Sequence, residues 1–286
     1  MKLLRVFPRR TSETPNDKDA RFGAPGLLDE ADEVHISVVF TYDLPRAEML
    51  EKMWRQRCSN VKVGGPATGE KGMDFVPGLY LKAGNIITSR GCPNFCKFCD
   101  VWRRDGGTRE LAIQDGWKVQ DDNLLACSEK HIRSVFNMLW RQKEKSAFTG
   151  GFEALRFKTW HLDLIMQRIP KDMIFAYDTP EDYEPLVHVG KMLREVNLAF
   201  PYFHKSRAYV LIGFQKDTIM EAEKRIKQTI AAGFLPFPML YRDYKGKCLS
   251  GWKQFQVKWN FPLKIIQEMK EKDVKRNTLF TITKKD

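Results

Sequence analysis

The sequence predicts an α/β fold built on a parallel sheet, either an open barrel or a doubly wound sheet, and three observations carry that prediction. From Gly84 onward, apolar strand-like runs alternate with helix-period stretches through six β-α steps. No tight hairpin signal joins neighbouring runs, so the connections read as crossovers. Polar residues and glycines collect at the C-terminal ends of the runs, where parallel sheets bind their ligands.

Residues 1–84 read as a small α/β unit of βαβ type. A strand is expected at 2–7, a long polar loop at 9–26 and a buried strand at 35–40. A helix follows at 45–57, with Pro45 suited to its first turn, then a strand at 61–63 that ends in Gly64-Gly65-Pro66, a turn signal.

Residues 85–242 carry the alternation. A strand at 86–88 runs into a cysteine-rich loop, and a short strand at 117–120 ends in Asp121-Asp122-Asn123. The helix at 129–143 sets Ile132, Val135, Phe136, Leu139 and Trp140 on one face, a core stripe. A third strand is expected at 147–154, across Gly150-Gly151. The helix after it starts at Thr159, with Leu162, Ile165, Met166 and Ile169 inward and Pro170 closing it. The strand at 173–177 leads to Asp178-Thr179-Pro180-Glu181, a cap-and-proline helix start, with Leu186, Val189, Leu193 and Val196 beneath. The apolar run at 209–214 reads as a buried parallel strand. Its helix spans 218–232 and ends at Gly233, before a sixth strand at 234–241.

Residues 243–286 form a basic, aromatic extension. From Arg242 onward there are 12 Lys/Arg against 5 Asp/Glu, so this segment alone carries +7 of the net +12. Trp252, Phe255, Trp259 and Phe261 within it could stack on nucleic-acid bases, or could be buried as ordinary packing with the lysines solvated; the packing reading is favoured. The chain of 286 residues has room for one large α/β domain, or one domain with a small partner. No run of about 18 apolar residues occurs, so no membrane span is expected. The first residues are charged too soon for a signal peptide. Grouped cysteines fit a reducing compartment better than a disulfide framework, and a cytoplasmic protein is expected.

Half of the six cysteines fall within eight residues, Cys92-x3-Cys96-x2-Cys99. Three thiolates on one loop can converge on a soft metal centre, because sulfur suits zinc, copper(I) and iron-sulfur clusters. In a four-iron cubane, three protein ligands leave one iron open for a small molecule. A zinc knuckle is the other reading, with Cys58, Cys127, Cys248 or a histidine as fourth ligand.

The stretch from Thr88 to Trp102, with Phe98 just before the third cysteine, resembles the cluster-binding loop of the radical S-adenosylmethionine (SAM) enzymes. That resemblance covers about 84–242 and implies a partial (β/α)6 TIM-type barrel. It implies a [4Fe-4S] cluster on Cys92, Cys96 and Cys99, and cleavage of SAM to methionine and a 5′-deoxyadenosyl radical that abstracts hydrogen. It further implies SAM contacts from Asp122 and Asn123 after the second strand, with Asp121 a contact or a structural residue. Phe98, Gly213, Phe214 and Tyr241 would lie near the adenine, and Glu153 and Tyr177 near ribose or substrate. For Glu153, Tyr177, Gly213, Phe214 and Tyr241, packing or solvent exposure is an equal alternative.

The N-terminal unit looks like a shortened Rossmann-like, cobalamin-binding-type domain. The Asp-x-His-x-x-Gly motif of such domains is absent, so no cobalamin is expected. The expected partners are an electron donor such as flavodoxin or ferredoxin and a substrate left open, anionic or nucleic acid among the options. Arg90, Arg103, Arg104 and Arg109 could attract either, or could stabilise the cluster. His35, His131, His161 and His188 read as core or surface residues. A catalytically silent cluster protein and a zinc-stabilised nucleic-acid-binding module are the two other classes.

Overall fold

The computed structural model describes residues 2–261 and residue 265. It is an α/β structure with a four-stranded sheet, ordered β2-β1-β3-β4, a six-stranded sheet, ordered β12-β11-β10-β9-β8-β5, and a two-stranded ribbon, β6-β7. The chain divides into two compact units, 1–173 with 242–247, and 174–241 with 248–286.

The first unit opens on the four-stranded sheet. Strands β1 (Leu3–Val6), β2 (Ala20–Arg21), β3 (Glu33–Ser37) and β4 (Val61–Gly64) pair in parallel. Strand β2 lies inside the stretch read as a loop; two residues are too short to leave a period in the sequence. Helix α1 (Leu44–Trp54) has Pro45 in its first turn and buries Ala47, Leu50 and Trp54 against Leu4, Val6, Val34 and Ile36. Each large side chain so buried contributes about 1.5–3 kcal/mol. Gly65 has a φ of 115°, and a Cβ there would lie 2.6 Å from the Val38 carbonyl oxygen. That glycine lets β4 end close against the chain leaving β3.

Three further strands of this unit, β5 (Asn85–Ile86), β8 (Lys118–Val119) and β9 (Ala147–Phe152), are parallel neighbours. Between β5 and β8 the chain makes an antiparallel ribbon, β6 (Ser89–Arg90) with β7 (Arg109–Glu110), and a short helix α2 (Val101–Asp105). Neither was expected from the sequence.

Helix α3 (Glu129–Arg141) buries the expected Ile132, Val135, Phe136 and Leu139, with Trp140 half-buried, and Ser128 caps it through the His131 amide. Helix α4 (Thr159–Gln167) corrects the reading of its inward face. His161, Leu162, Leu164 and Ile165 are buried, while Met166 is 42% exposed and Ile169 36% exposed. The helix stops at Gln167, so Ile169 lies past its end, and only its first two turns have a core beneath them.

The second unit holds β10 (Asp172–Tyr177) from Ile174 onward, with β11 (Ser206–Ile212) and β12 (Leu235–Leu240), the last two parallel and in register from Arg207↔Leu235 to Ile212↔Leu240. Helix α5 (Tyr183–Glu195) follows a 3-10 turn at Pro180–Asp182, and α6 (Ile219–Ala232) runs from a Thr218 cap to a left-handed Gly233. The two helices meet closely at Gly190, where a Cβ would lie 1.8 Å from the Ala232 carbonyl oxygen. Strand β11 alternates buried and half-buried residues instead of being buried throughout.

Helix α7 (Trp252–Trp259) buries Trp252, Phe255 and Trp259 with Val210, Ile212, Ala222 and Ile226. Of the four aromatics singled out in the basic extension, Trp252, Phe255 and Trp259 are therefore core residues, and Phe261 is 57% exposed. Most of the extension's lysines, from Lys264 onward, lie outside the described residues. No helix among the described residues is long and apolar enough to cross a membrane.

Candidate functional site

The cysteine loop hangs between β6 and α2 and is tied down from below by the end of β8. Asp121, 2% exposed, accepts from the Thr88 amide at 2.6 Å, the Thr88 hydroxyl at 2.6 Å and the Ser89 hydroxyl at 2.8 Å. Its role is structural: it fixes the chain entering the loop. Burial pushes its carboxyl above the usual carboxylate range, against the pull of those donors. His131 extends the network, with Nε2 3.2 Å from the Thr88 hydroxyl.

Asp122 accepts from the Gly91 amide at 2.8 Å and lies 3.8 Å from Arg104. Gly91 takes a φ of 82°, and a Cβ there would stand 2.3 Å from the Gly107 carbonyl oxygen. The loop therefore closes on itself, as the Cys92 amide bonds to the Gly106 carbonyl at 3.0 Å. Within the loop, the Cys99 amide bonds to the Cys96 carbonyl at 3.2 Å, and the Trp102 indole donates to the same carbonyl at 3.0 Å.

Asn123 joins the loop to the next strand end. Its Nδ2 donates to Cys92 Sγ at 3.4 Å and to Glu153 Oε2 at 2.7 Å, while its Oδ1 is buried with no partner. Glu153 also accepts from Arg156 Nε at 2.6 Å. The two strand ends approach because residue 150 is glycine: a Cβ there would sit 2.0 Å from the Asp121 carbonyl oxygen. Arg156 leads on to a cavity of about 420 Å³ over the loops that follow β8 and β9, lined by Leu125, Cys127, Ile132, Leu155 and His161 among others.

The structure thus brings together Cys92, Asp122, Asn123 and Glu153 of the residues expected at the site, with Cys96, Phe98 and Cys99 on the same loop. None of the six cysteines is in a disulfide. Burial raises the Cys99 thiol above its usual range, and Cys92 and Asp122 nearby add to that. Among the described residues, no three His, Cys, Asp or Glu side chains are gathered in position to hold one metal ion. The fit to a cluster is one of donor chemistry: soft thiols on one loop, and beside Cys92 an unpaired amide oxygen.

The arginines of the loop are largely occupied. Arg90 donates to the Met73 carbonyl at 3.0 Å, Arg104 to Asp105 at 2.7 Å and Arg109 to the Gly72 carbonyl, while Asp105 accepts from the Gly72 amide at 2.7 Å. Together they pin the 72–74 segment to the loop base.

The other expected residues lie in the second unit. Tyr177 is buried, and its hydroxyl donates to Gln228 at 2.8 Å; burial pushes its pKa up to about 12. Gly213, at a φ of 77°, donates its amide to Asp217 at 2.8 Å, and Asp217 pairs with Arg225 at 2.7 Å. The rings of Phe214 and Tyr241 meet edge to face, with centroids 4.8 Å apart.

Sequence reasoning missed Arg156, which stands three residues after Glu153 and carried no motif. His161, read as core or surface, is buried at 2% exposure; its Nδ1 accepts from the Lys158 amide at 2.8 Å and caps α4, leaving Nε2 buried without a partner. No protein-family model and no curated protein matches this chain.

Proposed function

We propose that this chain is a radical SAM enzyme in which Cys92, Cys96 and Cys99 hold a [4Fe-4S] cluster, and that the six strands β5 and β8 to β12 form the partial (β/α)6 barrel typical of such enzymes. The observation that carries the reading is the line from Cys92 through Asn123 to Glu153, which joins the cysteine loop to the ends of two successive parallel strands. Cys92, Cys96 and Cys99 would hold the cluster, which with SAM bound would supply one-electron chemistry for removing hydrogen from a substrate.

The chain's own residues orient and exclude. Asp121 and Asp122 hold the loop in register with β8 through the Thr88 and Gly91 amides. Asn123 offers its unpaired Oδ1 as an acceptor for an ammonium or hydroxyl donor, and Glu153 adds negative charge beside it. The cavity next to Arg156 gives room for a small molecule at the same strand ends. An electron donor such as flavodoxin or ferredoxin completes the proposal.

Reconstitution under anaerobic conditions with iron and sulfide tests it. The expected product is a brown protein with about four irons per chain, and Cys96→Ala abolishes the colour. A colourless protein carrying one zinc would defeat the reading.

A further inference from the structure

A second surface, away from the cysteine loop but within the first unit, combines aromatic rings with cations in a way the proposed chemistry does not use. In the four-stranded sheet β1 lies between β2 and β3, so the chains leaving β1 and β3 diverge. In open parallel sheets this switch point is where ligands bind. Here the cavity between those chains is only about 20 Å³, lined by Phe7, Arg9, Phe40, Asp43 and Tyr80 among others, so nothing larger than a water enters.

Its rim is another matter. Phe40 stacks on Tyr42 with centroids 5.1 Å apart, and the Arg9 guanidinium lies 5.2 Å from the Tyr42 centroid while pairing with Asp43 through two bonds of 2.8 Å. On the other side Phe7 contacts Phe22 at 6.0 Å, and Arg10 covers Phe22 at 5.0 Å. The turn at 242–247 belongs to the same unit, and Gly246 seats against Tyr42 so closely that a Cβ would stand 3.0 Å from its Cβ. That turn presents Tyr244, 70% exposed, with Lys245 over its ring at 5.4 Å and Lys247 exposed nearby. Asp243, the acid of the turn, accepts the backbone amides of Lys245 and Lys247.

We infer that this rim, with Phe22, Phe40 and Tyr244 as stacking platforms and Arg10, Lys245 and Lys247 as phosphate contacts, binds single-stranded nucleic acid. Exposed rings interleaved with cations are what an unpaired strand requires, since every base offers a π-face and every linkage a charge. A duplex hides its base faces and gains only the charge contacts. The buried Trp252, Phe255 and Trp259 cannot serve in this way, whereas Tyr244 is exposed on the turn that belongs to this unit. The inference stands whether or not the loop holds a cluster.

Fluorescence anisotropy with a labelled 12-nucleotide oligo(U), the same length of RNA duplex, and inorganic polyphosphate as competitor tests it on the full chain. Phe22→Ala and Tyr244→Ala are each expected to weaken oligo(U) binding by about 5- to 100-fold. Arg10→Ala and Lys245→Ala are each expected to reduce the slope of log affinity against log salt by about 0.7. Phe22 and Tyr244 are surface residues, and unchanged circular dichroism melting of these variants excludes unfolding as the cause of a loss. The inference is overturned if oligo(U) does not bind at 50 mM salt, if the two aromatic variants bind as tightly as the parent, or if duplex or polyphosphate binds as tightly as oligo(U).

Discussion

Asp121 shows how a residue can belong to a site without touching a ligand. Its carboxylate accepts three donors from Thr88 and Ser89 inside the protein, and removing it leaves a buried amide and two buried hydroxyls to find new partners. Asp121→Ala is expected to cost about 1–3 kcal/mol, read as a lower urea midpoint with unchanged slope. A variant as stable as the parent contradicts the anchoring role. His161 gives a pH signature of its own. Burial lowers its pKa from the ordinary 6.5 to about 4, so on acidification the unfolded chain takes the proton first. The stability this residue contributes is complete above about pH 6.5 and is lost as pH falls from there toward 4, by up to about 3 kcal/mol. His161→Asn, whose amide oxygen can still accept from the Lys158 amide, is expected to flatten that part of the curve. An unchanged curve between pH 4 and 6.5 rules the buried imidazole out as its source.

At the scale of elements, the cysteine loop is rigid at its base because strand ends converge on it. Gly150 is the point of closest approach, and Gly150→Ala drives a Cβ into the Asp121 carbonyl. A loss of about 1–3 kcal/mol is expected; if the proposed cluster is bound, weaker iron retention follows, because Asp122 and Asn123 move with the displaced strand. Gly107→Ala, where nothing lies within 4 Å of the new Cβ, is the matched control and is expected to be near neutral. If the two variants melt alike, the close approach is not what holds the strand ends together.

The sequence made long elements legible and short ones invisible. Helix α3 announced itself through Ile132, Val135, Phe136 and Leu139, and the Thr218 cap and Gly233 stop bounded α6. Ribbon β6-β7 has two residues in each strand and no hairpin turn between them, so neither period nor turn chemistry marked it. Met166 and Ile169 matched a helical stripe, but a stripe records which residues can be buried and not where the core beneath them ends.

For the whole molecule, the motif was readable because Cys92, Cys96 and Cys99 are neighbours in sequence. The support of the motif was not, because Asn123 meets Cys92 across 31 positions and Glu153 across a further 30. The same holds for the rim of the first sheet, where Tyr42 and Gly246 come together only through the fold. What the sequence did reveal was the list of strand ends, and in the first unit the structure joins three of them, after β5, β8 and β9, in one hydrogen-bonded network. The claim that this network serves radical chemistry has one direct measurement. Reconstituted protein, reduced with dithionite and given SAM without any substrate, is expected to release 5′-deoxyadenosine and methionine in equal amounts, and Cys96→Ala to release neither. Iron-loaded protein that leaves SAM intact would contradict the account.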